Sequence, residues 1–469
     1  MTATQATPGA RAHPATGRGR PDPLWWADLV GSLTWASVLA SVLLWVHGRG
    51  VQHLAGSSAA LVSAGRVAGL LAADLLLVQV FLMARVPVVE RAYGQDELVR
   101  RHRVVGFASF VLLLVHIVLL AVGYGLQAGT DSARQVAEFV RDYPGMWWAL
   151  AGAGFLALIV LSSLAAARRR MHYETWHLLH LYAYLGVGLS IPHEVASGAD
   201  FTGFAAARVY WWGLYAAAAG ATLFWRVAVP LWRSARHRLT VDEVVHESTG
   251  VVSVYLRGHA LNQLGARGGQ FFTWRFLDGP GWTRGHPYSL SAAPQPDRLR
   301  ITVKALGAGS RRLAKVRPGA RVMIEGPYGR LHTGVSRLRW VTLIASGIGI
   351  TPIRALLEDF ADTGADITLI YRASTAQDLV FREEIETLAA GGDAHVHYVL
   401  GPRLRSRPSW LPESSAALTD AQALTTYAPE VADSDVYICG APPWAAAVRT
   451  AARSAGVPGR HIHLEAFSW

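Results

Sequence analysis

The feature that most constrains the fold is a series of six long apolar segments in the first half of the chain. Each has about the 20 residues that an α-helix needs to cross the ~30 Å hydrocarbon core of a bilayer. A buried helical core is the alternative, but residues 104–122 carry no charge and no polar face that could meet water. The sequence therefore predicts six transmembrane helices, at residues 25–47, 62–84, 103–125, 147–167, 175–196 and 205–229.

The arginines between these segments indicate the orientation of the helices. Fifteen arginines lie in the tail and loops on one side, and five lie on the other. Because cytoplasmic loops carry the excess of basic residues, we expect both termini and everything after residue 232 to be cytoplasmic in a multi-pass protein of the cell membrane. The net charge is +11, but Lys304 and Lys315 are the only lysines, which is typical of a codon bias towards arginine and predicts no nucleic-acid partner.

The pattern of the sequence changes near residue 238. Residues 1–23 are rich in Pro, Gly, Thr and Ala, which predicts a disordered basic tail. From residue 239 to about 331, short β-branched runs alternate with turn signals, as in an antiparallel barrel, and afterwards strand-like runs alternate with helical stretches, as in a parallel α/β sheet. We predict four regions: the tail at 1–23, a six-helix membrane domain at 24–235, a β-barrel domain at 236–335 and an α/β domain at 336–469.

Four histidines fall at matched depths in the third and fifth predicted spans. His102 and His116 are 14 residues apart, or about 21 Å of helix rise, and His180 and His193 are 13 apart, or about 20 Å. Each level therefore pairs two neutral imidazoles, which can supply both axial ligands of a haem iron; polar packing between helices is the alternative. Thirteen helical steps leave His193 about 140° from the face of His180, and Pro192 is the residue that could retwist the helix there.

Two motifs in the barrel region suit a flavin. One is a short polar string that follows a strand-like run, where an aromatic ring can stack on an isoalloxazine and a hydroxyl can reach its polar edge. It consists of His286, Pro287, Tyr288 and Ser289. The other leads from Lys304 into a glycine-rich helix start with Gly309 and Ser310, where backbone amides can hold a pyrophosphate.

A glycine turn in the α/β region suits a nicotinamide dinucleotide. It follows the apolar strand at 340–345 and opens a helix, so small residues and the positive helix end meet at one place. Its residues are Gly347, Gly349, Thr351 and Pro352, with proline in place of the third glycine of a Rossmann fingerprint. Arg372 ends the next strand, where an arginine can pair with the 2′-phosphate of NADPH, so NADPH is favoured over NADH.

The segment from Tyr173 to His193, taken with the histidines of the third span, resembles the ferric reductase and NADPH oxidase superfamily. The resemblance places Arg66, at the outer start of the second span, near an outer haem, where the oxidases use an arginine to assist oxygen or superoxide. An arginine that extends to the lipid headgroups is the alternative. The resemblance also implies two b-type haems with four metal ligands, the inner pair His102 with His180 and the outer pair His116 with His193.

The motifs of the second half resemble the FAD and NAD(P) domains of ferredoxin-reductase-type proteins. The resemblance implies that Tyr288 covers the flavin ring, that Ser289 touches its polar edge, and that Gly309 and Ser310 bind the pyrophosphate. His286 stands where soluble members carry arginine. NADPH oxidases share this His-Pro pattern, so the departure points to the membrane branch of the superfamily.

The resemblance also implies which residues lie close to the reacting rings. Cys439 and Gly440 would be beside the nicotinamide, although a small buried apolar residue is the alternative for the cysteine. Near the end of the chain, the family places an acidic residue and an aromatic ring that packs on the flavin. Glu465 and Phe467 match these positions, and Trp469 is the alternative aromatic residue. Since Cys439 is the single cysteine, the chain forms no internal disulfide.

Taken together, the sequence predicts an all-α six-helix haem domain followed by a β-barrel FAD-binding domain and an α/β nucleotide-binding domain. The expected activity is electron transfer from cytoplasmic NADPH, or NADH, through FAD and two haems to an acceptor across the lipid bilayer. Oxygen, a ferric chelate and an external redox protein all remain as acceptors. A membrane-anchored binding or sensor protein with an inactive reductase module is the alternative of a different class.

Overall fold

The computed structural model describes residues 25–54, 56–164, 168, 170–171, 173–279, 281–361, 363–392 and 394–466. The chain divides into two compact units, one within residues 24–228 and one that begins at Val229. The predicted tail at 1–23 and the candidate residues Phe467 and Trp469 lie outside the described residues.

The first unit is helical. Its helices are α1 Trp25–His47, α2 Ser57–Met83, α3 Pro87–Tyr93, α4 Gln95–Ala128, α5 Ser132–Asp142, α6 Met146–Ser163, α7 Tyr173–Ser197, α8 Ala199–Thr202 and α9 Ala205–Leu223, followed by a π-helical turn at Phe224–Ala228. Each of the six predicted spans coincides with one of the long helices. The sequence missed two short helices, α3 and α5, because they are amphipathic or polar pieces between the spans. Pro87 begins α3, and the Asp131 side chain caps α5 by accepting from two backbone amides.

Five helices in the described part of the chain are long and apolar enough to cross a membrane, judged by length and composition only. They are Trp25–His47, Ser57–Met83, Gln95–Ala128, Met146–Ser163 and Ala205–His237. The fifth predicted span, α7, is a helix of 25 residues but is not among the five. It carries three histidines and Glu194, which lower its hydropathy.

Glycines let the long helices approach each other closely. A Cβ atom on Gly69 of α2 would lie 2.5 Å from Nδ1 of His116 on α4, and one on Gly152 of α6 would lie 2.7 Å from the carbonyl oxygen of Gly186 on α7. Small residues of this kind are typical of helix interfaces in membranes, where the backbones pack against each other. The close approach positions the histidines of α4 and α7 against neighbouring helices.

The second unit begins with helix α10 and two antiparallel sheets. Its elements are α10 Val229–His237, β1 Thr240–Ser248, β2 Val251–Arg257, β3 Phe271–Phe276, β4 His286–Ser289, β5 Arg298–Lys304, α11 Ala308–Leu313 and β6 Val322–Tyr328. The sheets have the orders β1-β2-β5 and β4-β3-β6 and enclose an apolar core that contains Phe272 and Trp274. Single bridges, Thr240 with Arg321 and Leu290 with Ile301, join the sheets. The antiparallel domain is as predicted, but its barrel is not closed by continuous ladders.

The rest of the second unit is a parallel sheet with helices. Its strands are β7 Trp340–Ser346, β8 Asp366–Ala373, β9 Ala394–Leu400, β10 Ser434–Gly440 and β11 Ile462–Ala466, and its helices are α12 Ile350–Ala361, α13 Arg382–Ala390, α14 Asp420–Tyr427 and α15 Pro442–Ser454. The strand order β11-β10-β7-β8-β9 reverses direction between β7 and β10. In open α/β sheets, ligands bind outside the carboxyl ends of the strands at such a switch point. The α/β domain predicted from the sequence is therefore present, and its topology marks where a nucleotide would bind.

A buried carboxylate stabilises the amino-terminal end of this sheet, opposite the carboxyl ends of the strands. Asp435, fully buried at the start of β10, contacts Nδ1 of His461 at 2.9 Å and Nε2 of His463 at 3.3 Å. Its other oxygen accepts from the amides of Arg337 at 2.6 Å and Leu338 at 2.8 Å. Burial alone would raise the pKa of Asp435, but these hydrogen bonds hold the pKa below its ordinary value. The network therefore connects β10 and β11 to the segment before β7.

We expect Asp435→Asn to destabilise the second unit by about 2–4 kcal/mol, because it weakens bonds to groups that stay buried. The apparent Tm of the detergent-purified chain should fall by about 5–15 °C. Since the folded pKa is lowered, the carboxylate's contribution is complete above about pH 4 and is lost as the pH falls further, so the two proteins should converge in acid. Asp433→Asn, at an exposed neighbouring position, is the control; equal shifts in both variants would contradict the prediction.

Candidate functional site

The predicted glycine turn lies at the carboxyl end of β7, at the switch point of the sheet. Gly347 has a φ of +54°, and Gly349 packs so closely on the backbone carbonyl of Cys439 that a side chain would not fit. Thr351 and Pro352 are buried in the first turn of the 12-residue helix α12, and the Thr351 hydroxyl donates to the carbonyl of Ile348 at 3.0 Å. The turn and the helix start together present backbone amides and a positive helix end, which suit the phosphates of a dinucleotide.

Cys439 and Glu465 lie side by side next to this turn. They are register partners on the parallel strands β10 and β11. Cys439 is fully buried, and burial, with a contribution from Glu465, raises the pKa of its thiol well above the ordinary value. The group is therefore a neutral thiol at neutral pH and not a nucleophile. Gly440 follows and packs against the ring of Trp444, and Gly329, from the loop after β6, leaves room for the Glu465 carboxylate.

The predicted flavin motif forms strand β4, and the side chains of His286 and Tyr288 lie on the same face of this strand. The rings of His286 and Tyr288 stack with centroids 6.1 Å apart and 24° between their planes, and Pro287 between them pairs with Thr273 of β3. Burial raises the pKa of Tyr288 to about 12. Ser289 is 4% exposed, and its Oγ has no hydrogen-bond partner among the described residues. A buried hydroxyl without a partner beside an aromatic ring fits the polar edge of a flavin.

The glycine-rich loop reaches the same place. A Cβ atom on Gly309 would lie 2.5 Å from the His286 ring, so loop and strand are in direct contact. The Ser310 hydroxyl, however, accepts from the amides of Leu306 and Gly307, each at 2.9 Å, and so closes its own loop. Lys304 is exposed at the end of β5. The structure therefore assembles the predicted loop, but it engages Ser310 within the loop.

The sequence analysis missed Arg275, a cation beside this motif. A Cβ atom on Gly285, the residue before His286, would lie 3.3 Å from the guanidinium carbon of Arg275, whose nearest described carboxylate is Glu325 at 3.7 Å. The side chain is 32% exposed and lies next to the position where soluble reductases carry arginine. The sequence signal for this cation was the presence of one arginine, the only charged residue, in strand β3.

Arg372 does not reach into the nucleotide site. It is 5% exposed, and its guanidinium donates to the backbone carbonyls of Ala373, Val399, Gly401 at 2.7 Å and Pro402 at 3.2 Å. These bonds hold the ends of β8 and β9 together. The sequence-based role of Arg372 as the partner of a 2′-phosphate therefore has no support in this geometry, because both terminal nitrogens of the guanidinium already donate to these carbonyls.

We accordingly expect Arg372→Ala to change the Michaelis constants for NADPH and NADH by the same factor, within about twofold. The physical reason is that the lost bonds position a loop and do not discriminate the 2′-phosphate. Steady-state kinetics with both nucleotides measure this. A rise for NADPH about tenfold larger than for NADH would restore the role predicted from the sequence, and Arg405→Ala, an exposed arginine in the loop after β9, is the comparison.

An ion-pair network holds the barrel to the α/β domain. Arg300 of β5 donates twice to Glu384 of α13, at 2.9 Å each, and Arg354 of α12 contacts the same carboxylate at 2.8 Å. Burial would raise the pKa of Glu384, but the two arginines hold it below its ordinary value. The Arg300 and Arg354 side chains are buried, whereas the Glu384 side chain is 36% exposed, so only the arginine side of the network is desolvated. It fixes the flavin motif relative to the glycine turn, and three residues so far apart in sequence gave no signal of it.

In the helical unit, α4 and α7 bring two of the four predicted histidines together. The rings of His102 and His180 have centroids 5.9 Å apart with 65° between their planes. Nδ1 of His102 lies 3.4 Å from the carbonyl oxygen of Gln79, and Nδ1 of His116 lies 2.9 Å from that of Gly65. A carbonyl oxygen only accepts, so each ring carries its hydrogen on Nδ1 and keeps a lone pair on Nε2. This is the arrangement that a metal-binding imidazole needs.

The second histidine level consists of His116 and His193, and fewer contacts between its two rings are described than for His102 and His180. The His116 and His193 rings interact electrostatically, and Nδ1 of both His180 and His193 is buried without a hydrogen-bond partner in the described part of the chain. The end of α7 is held by Glu194, which accepts from the hydroxyls of Ser190 at 2.8 Å and Tyr215 at 2.6 Å. Nδ1 of His180 and His193 thus differs from Nδ1 of His102 and His116, each of which contacts a backbone carbonyl.

Arg66 forms an ion pair near the second level. It donates to both oxygens of Asp200, at 2.8 and 2.6 Å, and contacts the carbonyl of Gly48 at 3.3 Å. Its side chain is 23% exposed and that of Asp200 is 7% exposed. Arg66 directly follows Gly65, whose carbonyl accepts from His116, and Asp200 holds the arginine side chain inside the unit.

Comparisons with known proteins bear on both halves of the chain. A family model described as a ferric reductase like transmembrane component matches residues 68–191, and one described as an oxidoreductase NAD-binding domain matches residues 343–450. The chain belongs to the ferric reductase and NADPH oxidase superfamily. The first match includes His102, His116 and His180 and ends two residues before His193, and the second includes the glycine turn and Cys439. The reductase is therefore a membrane electron-transfer oxidoreductase with ferredoxin-reductase-type domains for a flavin and NAD(P)H.

The individual relatives of the reductase are named as reductases or reductase subunits. It is 30% identical to ferredoxin–NADP reductase B of Sorangium cellulosum over 204 residues, which cover 40% of this chain and 80% of the relative. It is 27% identical to the glycine betaine monooxygenase reductase subunit of Chromohalobacter salexigens over 249 residues, 51% of this chain and 67% of the relative. Among solved structures, the ferredoxin reductase in carbazole 1,9a-dioxygenase is 22% identical with a TM-score of 0.40, covering 49% of this chain and 69% of that one.

Proposed function

We propose that the reductase carries electrons from cytoplasmic NADPH, with NADH as the alternative donor, through FAD and two b-type haems to an acceptor outside the cell membrane. The observation that carries the proposal is the pairing of His102 with His180, 5.9 Å apart, on two long helices. This separation would leave room for a metal ion about 2 Å from a nitrogen of each ring, so the two imidazoles would hold a haem iron between them. The hydrogen on Nδ1 of His102 leaves the Nε2 lone pair for iron.

The residues of the second unit would bind and align the two soluble cofactors. Ser289 would meet the polar edge of the flavin and Tyr288 its ring, with Gly309 and Arg275 on the side of the phosphates. The glycine turn would hold the dinucleotide so that its nicotinamide lies beside Cys439. Bound FAD supplies the conversion from a two-electron donor to one-electron acceptors. The neutral thiol of Cys439 and the buried sheet edge would exclude water from the reacting rings.

The helical unit would supply two sites in series across the bilayer. His102 and His116 lie about 21 Å apart along α4, which is about two thirds of the depth of the hydrocarbon core. His102 and His116 each contact a backbone carbonyl of α2, so α2 and α4 would together position a histidine at both depths. We propose that His102 and His180 form the inner site, and His116 and His193 the outer site, with both termini in the cytoplasm.

The acceptor is oxygen or a ferric chelate in our proposal, with Arg66 close to the outer site. Asp200 holds this arginine near the His116 level in an ion pair, so Arg66 would act there as a positioned hydrogen-bond donor. An external redox protein is the second candidate. It is favoured by the names of relatives, since one is a glycine betaine monooxygenase reductase subunit and another a 3-ketosteroid-9-alpha-monooxygenase ferredoxin reductase component.

The deciding experiment is an anaerobic absorption spectrum of the detergent-purified chain with added FAD, before and after NADPH. We expect the bands of reduced bis-histidine haem to appear on NADPH addition, because the proposed path then runs from nucleotide to iron. Oxygen and a ferric chelate are then added separately to identify the oxidant. A chain that binds no haem, even after dithionite, would overturn the proposal and favour a haem-free reductase or sensor.

A further inference from the structure

The helical unit buries a carboxyl group that the proposed electron path does not use. Asp74 of α2 is fully buried, and its Oδ1 accepts from the hydroxyl of Ser37 at 2.5 Å and from that of Tyr210 at 2.8 Å. The Ser37 and Tyr210 oxygens lie 3.0 Å apart, and Ser41 lies 3.4 Å from Tyr210. Helices α1, α2 and α9 therefore converge on one acid, and an ionisable residue inside a membrane segment marks a functional site by default.

The second oxygen of Asp74 has no partner. Oδ2 is buried and lacks a hydrogen bond to any described residue, and no described arginine, lysine or histidine forms an ion pair with Asp74. The hydroxyl donors on Oδ1 favour the carboxylate, while burial in an apolar membrane unit favours the neutral acid. Because these effects oppose each other, the charge state of Asp74 responds to a change of charge nearby.

The other groups around Asp74 do not neutralise it. From α1 it meets Ser37 and Ser41, which do not titrate, and from α9 it meets Tyr210, the one titratable side chain in the described part of the chain that bonds to it. On the other side of α2, the histidines of α4 bond to the carbonyls of Gly65 and Gln79 instead. Asp74 is thus the only carboxylic acid in the described hydrogen-bonded group that it forms with Ser37, Ser41 and Tyr210.

The spacing of the oxygens indicates a proton as the ligand. Oxygens that coordinate one metal ion at about 2.3 Å or more lie about 3 Å or further apart. Here Oδ1 lies 2.5 and 2.8 Å from the two hydroxyls, which are hydrogen-bond distances. A cation would have to push the cluster open, whereas a proton needs only the free lone pair of Oδ2.

The depth of Asp74 couples it to both histidine levels. Along α2 it lies about 13 Å from Gly65, which holds His116, and about 8 Å from Gln79, which holds His102. At an effective dielectric constant of about 20, one added negative charge at about 12 Å raises the proton affinity of a group roughly tenfold. An electron at either level would therefore favour the protonated form of Asp74.

We propose that Asp74 and Tyr210 form a proton-binding site in the middle of the membrane unit, and that the site takes up a proton when an electron enters that unit. The proton comes from water and forms an O–H bond at Oδ2, while the electron comes from NADPH and stays on the bound redox group, so charge is balanced inside the bilayer. This rests on the proposed function, because the electron needs the histidine sites.

The experiment is a redox titration of the haem absorbance in the purified chain at pH 6, 7 and 8, together with infrared spectra of the carboxylic acid region. The wild-type midpoint potential is expected to fall with pH, by about 59 mV in total for a tenfold change in the proton affinity of the site. Asp74→Asn should remove this slope and the infrared band of the protonated acid, and Tyr210→Phe should shift the band. Ser109→Ala, which removes a buried bond to Ala72 on another face of α2, should preserve both signals.

Each result decides the proposal. A slope that is equal in wild type and Asp74→Asn would overturn it, as would a wild-type chain without an infrared band that Asp74→Asn removes. If Asp74→Asn fails to fold, Asp74→Glu should restore the slope with a shifted band, and an unchanged band would count against the site. Absence of haem would contradict the proposed function, while the infrared band would still report whether Asp74 binds a proton.

Discussion

His116→Ala is expected to remove one of the two proposed haems while NADPH still reduces both the flavin and the proposed haem that remains. The substitution deletes an Nε2 lone pair that the Nδ1 bond to Gly65 holds in place. Removal of a group that hydrogen-bonds to a metal ligand typically lowers metal affinity or activity about 10–100-fold. Removal of the ligand itself should therefore lower the rate of electron transfer to the external acceptor at least about 100-fold. Haem content per chain and anaerobic stopped-flow spectra measure the two parts of this prediction.

His102→Ala gives the complementary result and tests the order of the two sites. If His102 belongs to the inner site, its loss interrupts the path before the outer haem. The remaining haem should then be reduced by dithionite but not by NADPH, whereas in His116→Ala both reductants should work. The opposite pattern would reverse the proposed direction. His53→Ala, at an exposed position of the same unit outside the spans, is the control and should retain both haems.

The membrane helices could be predicted because the bilayer imposes a length and an apolar composition on each span. The same rule explains the weaker signal of α7, where three histidines and Glu194 lower the hydropathy of a helix of 25 residues. The depth of the histidines followed from helix rise alone. Their direction around the helix did not, because it depends on contacts such as the bond from His116 to Gly65, and α7 continues as a helix through Pro192.

The soluble motifs could be located because each is a local pattern with a local physical cause. The glycine turn is such a case, since the strand, the small residues and the helix start are adjacent in sequence. The role of Arg372 was not predictable, because it depends on carbonyls of β9 and the loop behind it. The Arg300–Glu384–Arg354 network was equally hidden, since it joins three residues from different elements.

Gly349→Ala is expected to lower the rate of NADPH-dependent flavin reduction about 100-fold. The added methyl group would overlap the carbonyl of Cys439 and lie 2.9 Å from the amide of Gly440, both of which are backbone and cannot turn away. Strands β7 and β10 would have to separate at the switch point of the sheet. A displacement of about 1 Å between reacting groups is enough for a 100-fold loss.

Single-turnover stopped-flow mixing with NADPH under anaerobic conditions measures this rate, and reduction by dithionite should be unchanged because it bypasses the nucleotide. Gly364→Ala is the matched control. Gly364 has a φ of +66° and open space around it, so the substitution adds backbone strain, on the order of 1–2 kcal/mol, without a collision. If Gly364→Ala slowed flavin reduction as much as Gly349→Ala, general loss of stability would explain both. A selective loss in Gly349→Ala would instead locate hydride transfer beside Cys439, because that carbonyl is what the new methyl group displaces.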